Sequence, residues 1–219
     1  MRFPNAHNGV KKIFIAEIVM VIATVAVLVG CIAAVVSLKL SSNVRIPEEA
    51  VPGALLAAGS LLGGAALGVF AAIFQIVGVV QAKKDENSFA SALLFLFISI
   101  AASVVSASFS KVNFVQDLSD TVKSVCEVAV MIYIISGVRE LAVKLERPGM
   151  KESANSASRL IFGVFGLKIL AQLLAFVFDF WPAMVTAAAI LAVVAAILNF
   201  AAYVYYVIFL AKAIRMLKE

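Results

Sequence analysis

The sequence predicts an all-α membrane protein: one domain over residues 1–219 that forms a bundle of six transmembrane helices arranged as three hairpins. The chain has a mean hydropathy of +1.07, and hydrophobic residues make up 63% of it. Charged residues make up only 14%, against about 25% in an ordinary soluble domain. Its apolar runs are also long enough, because a helix needs roughly 20 apolar residues to cross a bilayer core.

The first apolar run, residues 13–38, contains one charge, Glu17. It is too long for the hydrophobic region of a signal peptide and is predicted to be an uncleaved anchor. We expect Glu17 to lie close enough to the interface to extend its carboxylate toward it. Further spans are predicted at 53–82, 89–109, 121–138, 160–178 and 183–211. The alternation typical of a β-barrel is absent, so helices are the expected way of pairing the backbone in lipid.

The polar connections separate these spans. Residues 179–182 are predicted to divide the last two, because Pro182 ends one helix and Trp181 suits a membrane interface. Residues 140–158 are predicted to extend the fourth helix and then to turn flexibly at Pro148 and Gly149. The first outer loop is predicted at residues 41–52, and His7 in a polar N-terminal tail.

The distribution of lysine and arginine predicts that both termini lie in the cytoplasm of a cell-membrane protein. Positive charge is retained on the cytoplasmic side of short loops. The sequence places 13 cations in the termini and in the second and fourth connections: Arg2, Lys11, Lys12, Lys83, Lys84, Arg139, Lys144, Arg147, Lys151, Arg159, Lys212, Arg215 and Lys218. The opposite side holds four: Lys39, Arg45, Lys111 and Lys123.

A layer of polar residues inside the predicted spans is the candidate substrate-binding site. Polar groups in a bilayer are costly, and they mark functional sites or contacts between helices. Their predicted positions fall in the middle of the hydrocarbon core, and they come from four helices: Gln75, Glu127, Lys168, Gln172 and Asn199.

Small residues at helical spacing predict the faces through which the helices pack. Gly64, Gly68 and Gly78 share one face of the second helix with Gln75, and Ser99, Ser103 and Ser106 form a stripe on the third. Small residues either bring backbones together or leave space for a ligand, and both interpretations stay open at this point.

Glu127 and Lys168 are predicted to form an ion pair between neighbouring helices, because opposite charges at similar depth offset the cost of burial. Lys123, one helical turn before Glu127, is the alternative partner. The pair either fixes the register of the helices or belongs to a polar cavity for a solute or a proton relay.

Catalysis, cofactors and metals are not expected. His7 is the sole histidine, and no nucleophile motif is present. Cys31 and Cys126 lie in apolar runs and are interpreted as packing residues. The cations cluster at helix ends rather than in a patch with aromatics, so we expect lipid, a small solute and other membrane subunits as partners, and no nucleic acid.

In size and six-span layout alone, the chain resembles the substrate-binding subunits of energy-coupling-factor vitamin transporters and small acid-stress membrane proteins made of three hairpins. Two functions therefore stay open. One is a small-solute transporter or the membrane-embedded binding subunit of one. The other is a structural, stress-related or regulatory membrane protein that acts through partners.

Overall fold

The structure, a computed structural model, describes residues 2–43, 50–109, 113–178 and 185–218. Those ranges contain six helices and no strand, which confirms the predicted all-helical fold. The helices are α1 (Pro4–Asn43), α2 (Ala50–Ala82), α3 (Ser88–Ser108), α4 (Asn113–Lys144), α5 (Pro148–Phe178) and α6 (Val185–Lys218). The outer loop predicted at residues 41–52 was wrong at both ends, because residues 41–43 belong to α1 and residues 50–52 belong to α2. Residues 44–49 and the predicted break at 179–182 lie outside the described residues.

Five of the helices have described stretches that are long and apolar enough to cross a membrane. These stretches are Pro4–Val36, Leu55–Ala82, Ser88–Ser108, Leu118–Lys144 and Val193–Lys218. Many of their large apolar side chains are exposed on the surface of the chain, such as Leu62 at 73% and Phe200 at 66%. Exposed apolar surface of this extent suits a lipid environment and would be an aggregation hazard in water.

The chain divides into two compact units. The hairpin unit comprises Lys12–Gly78, and the larger unit comprises Met1–Lys11 with Val79–Glu219. Within the larger unit α3 packs on α4, α5 packs on α6, and α4 also contacts α5. Helices that follow one another in sequence therefore pack together, as the predicted hairpins require.

The core of the larger unit lies at the end where the α2–α3 and α4–α5 turns meet. Phe89, in the first turn of α3, is fully buried, as are Val138 and Leu141 near the end of α4. α6 contributes Phe209 and Leu210 close to its C-terminus. Apolar packing holds this end together and fixes the α2–α3 and α4–α5 turns beside it.

The turn between α4 and α5 is closed by backbone hydrogen bonds, after α4 has continued to Lys144 as the predicted helix extension requires. The N–H of Arg147 donates to the carbonyl of Ala142 at 2.9 Å, and the N–H of Glu146 to that of Val143 at 3.1 Å. Glu146 has a φ of 54°, which completes a Schellman ending of α4. Pro148 then begins α5, because its fixed φ suits the first helical position.

α1 also begins earlier than its apolar run. It starts at Pro4, so His7 belongs to the helix and is 9% exposed rather than lying in a polar tail. The helical N-terminus is possible because Asp85 binds its first turn. The carboxylate of Asp85 accepts hydrogen bonds from the Asn5 amide at 2.9 Å and from the Ala6 N–H at 2.7 Å.

Candidate functional site

A buried carboxylate and a side-chain amide face each other in the hairpin unit. Gln75 Nε2 donates a hydrogen bond to Glu17 Oε1 at 3.2 Å, which joins α2 to α1. Glu17 is only 6% exposed, between the buried residues Ala16 and Ala23 of the same helix. The expectation that Glu17 extends toward the interface was therefore wrong, because a partner on α2 satisfies it inside the protein.

The small-residue face of α2 surrounds this contact. Ala71 is 1% exposed, and Gly64 and Gly78 are buried. At Gly64 an added Cβ would lie 2.6 Å from Val27 Cγ2 and 3.1 Å from the Ala23 carbonyl oxygen. At Gly68 an added Cβ would meet no described heavy atom within 4 Å. The two glycines thus differ: Gly64 permits close approach of α1, and Gly68 lies in open space.

A second close approach lies farther along the same two helices. A Cβ at Gly30 of α1 would lie 2.6 Å from Ser60 Oγ and 3.2 Å from the Ala57 carbonyl oxygen. The Ser60 hydroxyl itself donates back to Leu56 of its own helix at 2.6 Å. Gly30, which the sequence analysis did not select, therefore contributes to α1–α2 packing together with Gly64.

In the larger unit, the predicted Glu127–Lys168 ion pair is not formed. Lys168 Nζ donates to Ser124 Oγ at 2.7 Å, which links α5 to α4. Glu127 pairs instead with Lys123 on its own helix at 4.0 Å, the alternative partner. Both side chains of that pair are about half exposed on the surface of the chain.

Gln172 and Asn199 complete the predicted polar layer. The side chain of Gln172 lies outside the described residues. Asn199 is exposed, although Ala195 and Ala202 on the same stripe of α6 are buried. Of the five predicted residues, Gln75 belongs to the hairpin unit, and Glu127, Lys168 and Asn199 belong to the larger unit.

The serine stripe of α3 serves two local purposes. Ser103 Oγ donates to the Ser99 carbonyl at 2.9 Å, one turn earlier in the helix. Ser106 Oγ donates to Asp120 Oδ1 of α4 at 3.0 Å. Ser106 therefore joins the two helices of its hairpin, while Ser103 satisfies its hydroxyl within α3.

Two consecutive acids of the α2–α3 turn connect three segments of the larger unit. Asp85 binds the start of α1, as described above, and Glu86 forms an ion pair with Lys144 at the end of α4. Partial burial raises the pKa of the Glu86 carboxyl, but hydrogen bonds from Lys144 and Ser88 and the lysine charge outweigh it. The net pKa of Glu86 lies below its ordinary value.

These contacts place the N-terminus, the α2–α3 turn and the α4–α5 turn at one end of the larger unit. The C-terminus joins them, because Met216 lines an open cavity of about 430 Å³ with Arg147, Pro148, Gly149 and Met150. Of the 13 cations that the sequence predicts on the cytoplasmic side, those other than Lys12, which belongs to the hairpin unit, lie in these segments of the larger unit. The cavity lies at the α4–α5 turn and includes none of the predicted polar-layer residues.

No protein-family model, curated protein or solved structure matches this chain. Within the described residues, no group of three or more histidine, cysteine, aspartate or glutamate side chains could hold a metal ion. Glu17 joins the candidate site through its hydrogen bond with Gln75, although it was not among the predicted polar-layer residues. Its signal was its position as the sole charge in an apolar run, which in a membrane span favours a buried partner.

Proposed function

We propose that this multi-pass membrane protein binds and transfers a small polar solute within the bilayer, and that Glu17 and Gln75 form part of the site. The observation that carries the proposal is the hydrogen bond of 3.2 Å between them, with Glu17 6% exposed among apolar helices. An ionisable residue in a membrane helix is costly to retain and commonly marks a path for a solute or a proton.

The chemistry of the partner supports this proposal. The amide of Gln75 both donates and accepts hydrogen bonds, so it can satisfy Glu17 in its ionised and its protonated form. A lysine or arginine partner would instead favour the ionised form alone. A carboxyl group that can change its protonation state without losing its partner is suited to exchange a proton or a polar ligand.

Lys168 offers similar support in the larger unit. Its ammonium group binds the neutral hydroxyl of Ser124 rather than a carboxylate. The hydroxyl leaves the lysine charge uncompensated, so a solute with an acidic group could bind there. Lys168 is therefore proposed as a separate solute contact within the larger unit, distinct from the Glu17–Gln75 contact of the hairpin unit.

Ligand-dependent thermal stability tests this function. Purified protein in detergent micelles is heated with millimolar amino acids, hexoses, nucleosides and water-soluble vitamins, and unfolding is followed by circular dichroism. We expect one class to raise the Tm of the wild type but not that of Glu17→Gln or Gln75→Leu. Thr24→Val and Ser60→Ala are matched controls, because their hydroxyls bond within their own helices.

A non-transporting structural or regulatory role is the second candidate, and the close approaches at Gly30 and Gly64 favour it. Tightly packed helices need no solute, and a buried carboxylate–amide pair can fix their register. Under this role the protein would act through other membrane subunits. The same screen discriminates the two: stabilisation by no compound, or by compounds that act equally on Gln75→Leu, supports the structural role.

We further propose that both termini face the cytoplasm of the cell membrane, since positive charge is retained on that side. In a variant with Cys31 and Cys126 replaced by serine, Ser153→Cys should resist an impermeant maleimide on intact cells. Ser42→Cys should react with it. The opposite labelling pattern would reverse the proposed orientation.

A further inference from the structure

We infer that the basic end of the larger unit binds the headgroups of anionic phospholipids. The basic end is defined as residues 2–11, 83–87, 139–159 and 212–218, the segments that the contacts of Asp85, Glu86 and Met216 bring together. This inference is independent of the proposed solute, since it concerns the surface of the helices rather than their interior.

The first support is the balance between acidic and basic side chains at this end. Asp85 is occupied by the start of α1, Glu86 by Lys144 and Ser88, and Glu140 lies 3.6 Å from Arg139. Two further acids of this end, Glu146 and Glu152, are exposed. The exposed cations outnumber them: Arg2, Lys11, Lys83, Lys84, Lys144, Arg147, Lys151, Arg159, Lys212, Arg215 and Lys218.

The second support is the expected position of two of these cations relative to the membrane surface. Arg159 immediately precedes the predicted span 160–178 of α5, and Lys212 immediately follows the predicted span 183–211 of α6. Both side chains are exposed, and α5 and α6 pack against each other. A residue at the boundary between apolar and polar parts of a membrane helix lies at the level of the lipid headgroups.

These two features select a lipid rather than a soluble anion. Guanidinium groups bind phosphate oxygens bidentately, and a lysine supplies a point charge beside them. Anionic lipids attract cations near a membrane surface by about 1 kcal/mol each, which is about fivefold in affinity. Lipid binding does not require the cavity at Arg147 and Met216. The part of α5 that lines this cavity precedes Arg159 in the sequence and lies on the side away from the predicted span.

Native mass spectrometry tests the inference. Purified protein in micelles is mixed with phosphatidylglycerol or with phosphatidylcholine of the same acyl chains, and the bound lipids are counted. We expect the wild type to bind phosphatidylglycerol preferentially. Arg159→Gln and Lys212→Gln should each weaken that binding about fivefold, and Arg159→Lys should largely retain it.

Lys123→Gln is the matched control, since Lys123 is a partly exposed cation of α4 that lies far along the helix from the basic end. Protection of the buried Cys126 thiol from maleimide shows that each variant remains folded. Equal binding of the two lipids, or equal losses in Lys123→Gln and in the two test variants, would overturn the inference. So would displacement of phosphatidylglycerol by millimolar inorganic phosphate, because the surface would then prefer a soluble anion.

Discussion

Lys144 at the end of α4 forms an ion pair with Glu86 of the α2–α3 turn, although the two are separated by both helices of a hairpin. Glu86 is 11% exposed at its side chain, and it also accepts hydrogen bonds from the N–H and hydroxyl of Ser88. The pair therefore fixes the end of α4 against the start of α3.

We expect this pair to contribute about 0.5–1 kcal/mol, since Lys144 is half exposed and solvent screens its charge. A double-mutant cycle of Lys144→Met and Glu86→Gln, followed by thermal unfolding in micelles, measures it. Because the pKa of Glu86 is lowered on folding, its contribution is present above the ordinary glutamate pKa of about 4.3. That contribution is lost as the pH falls through the lower pKa of the folded state.

Glu152→Gln provides the control for this cycle, because Glu152 is exposed near the start of α5. Its substitution should change the Tm little and show no coupling to Lys144→Met. A coupling energy near zero at neutral pH, or one that persists in strong acid, would show that the pair does not act as described.

The predicted and observed features differ in a consistent physical way. Hydropathy predicts the apolar parts of the helices well, because the thickness of a hydrocarbon core sets a minimum length that the sequence must supply. Hydropathy does not predict how a helix is rotated about its own axis when the helix is apolar on all sides. Such a helix has no polar face to show which side points away from the core. For that reason Asn199 is exposed and Gly68 lies in open space, although each lies on a plausible stripe.

The candidate site was only partly predictable for the same reason. Gln75 was selected because an amide in an apolar run is conspicuous, but its partner Glu17 was not assigned to it. Partner choice depends on the relative rotation and register of two helices, which one sequence does not contain. Glu127 and Lys168 illustrate this limit, because each finds a nearer neighbour in Lys123 and Ser124.

Gly64→Ala should destabilise the α1–α2 contact by about 1–3 kcal/mol, since the new methyl group would overlap Val27 and approach the Ala23 carbonyl. Gly63→Ala is the matched control at the preceding residue, where an added Cβ meets no described atom within 4 Å. It should be neutral or slightly stabilising, because alanine favours a helix. Equal Tm values for the two variants would contradict close packing at Gly64.

Gly137→Ala should destabilise the core of the larger unit by a similar amount. An added Cβ would lie 2.6 Å from Cε2 and 2.8 Å from Cζ of Phe89, and that ring is fully buried. Reaction of the buried Cys126 with maleimide during heating reports the loss, in a Cys31→Ser background. Gly163→Ala on α5, where the space is open, should not lower the Tm.

A compensating change separates this overlap from other effects of the Gly137 substitution. Phe89→Leu removes the ring atoms that the methyl group would meet, so the double variant should lose less stability than the two single losses added together. Strict additivity would indicate that Phe89 does not cause the destabilisation.

Glu146→Gly should stabilise the α4–α5 turn by about 0.5–1 kcal/mol. The residue at this position has a φ of 54°, a left-handed conformation that glycine adopts without the steric cost of a Cβ. Glu146→Ala removes the same charge but keeps the Cβ, so its Tm should stay near that of the wild type. Glu152→Gly is the control of opposite sign, because a glycine within α5 costs about 1 kcal/mol relative to alanine. An equal rise in Tm for Glu146→Gly and Glu146→Ala would show that loss of the acidic charge, rather than relief at the Schellman ending, stabilises the basic end.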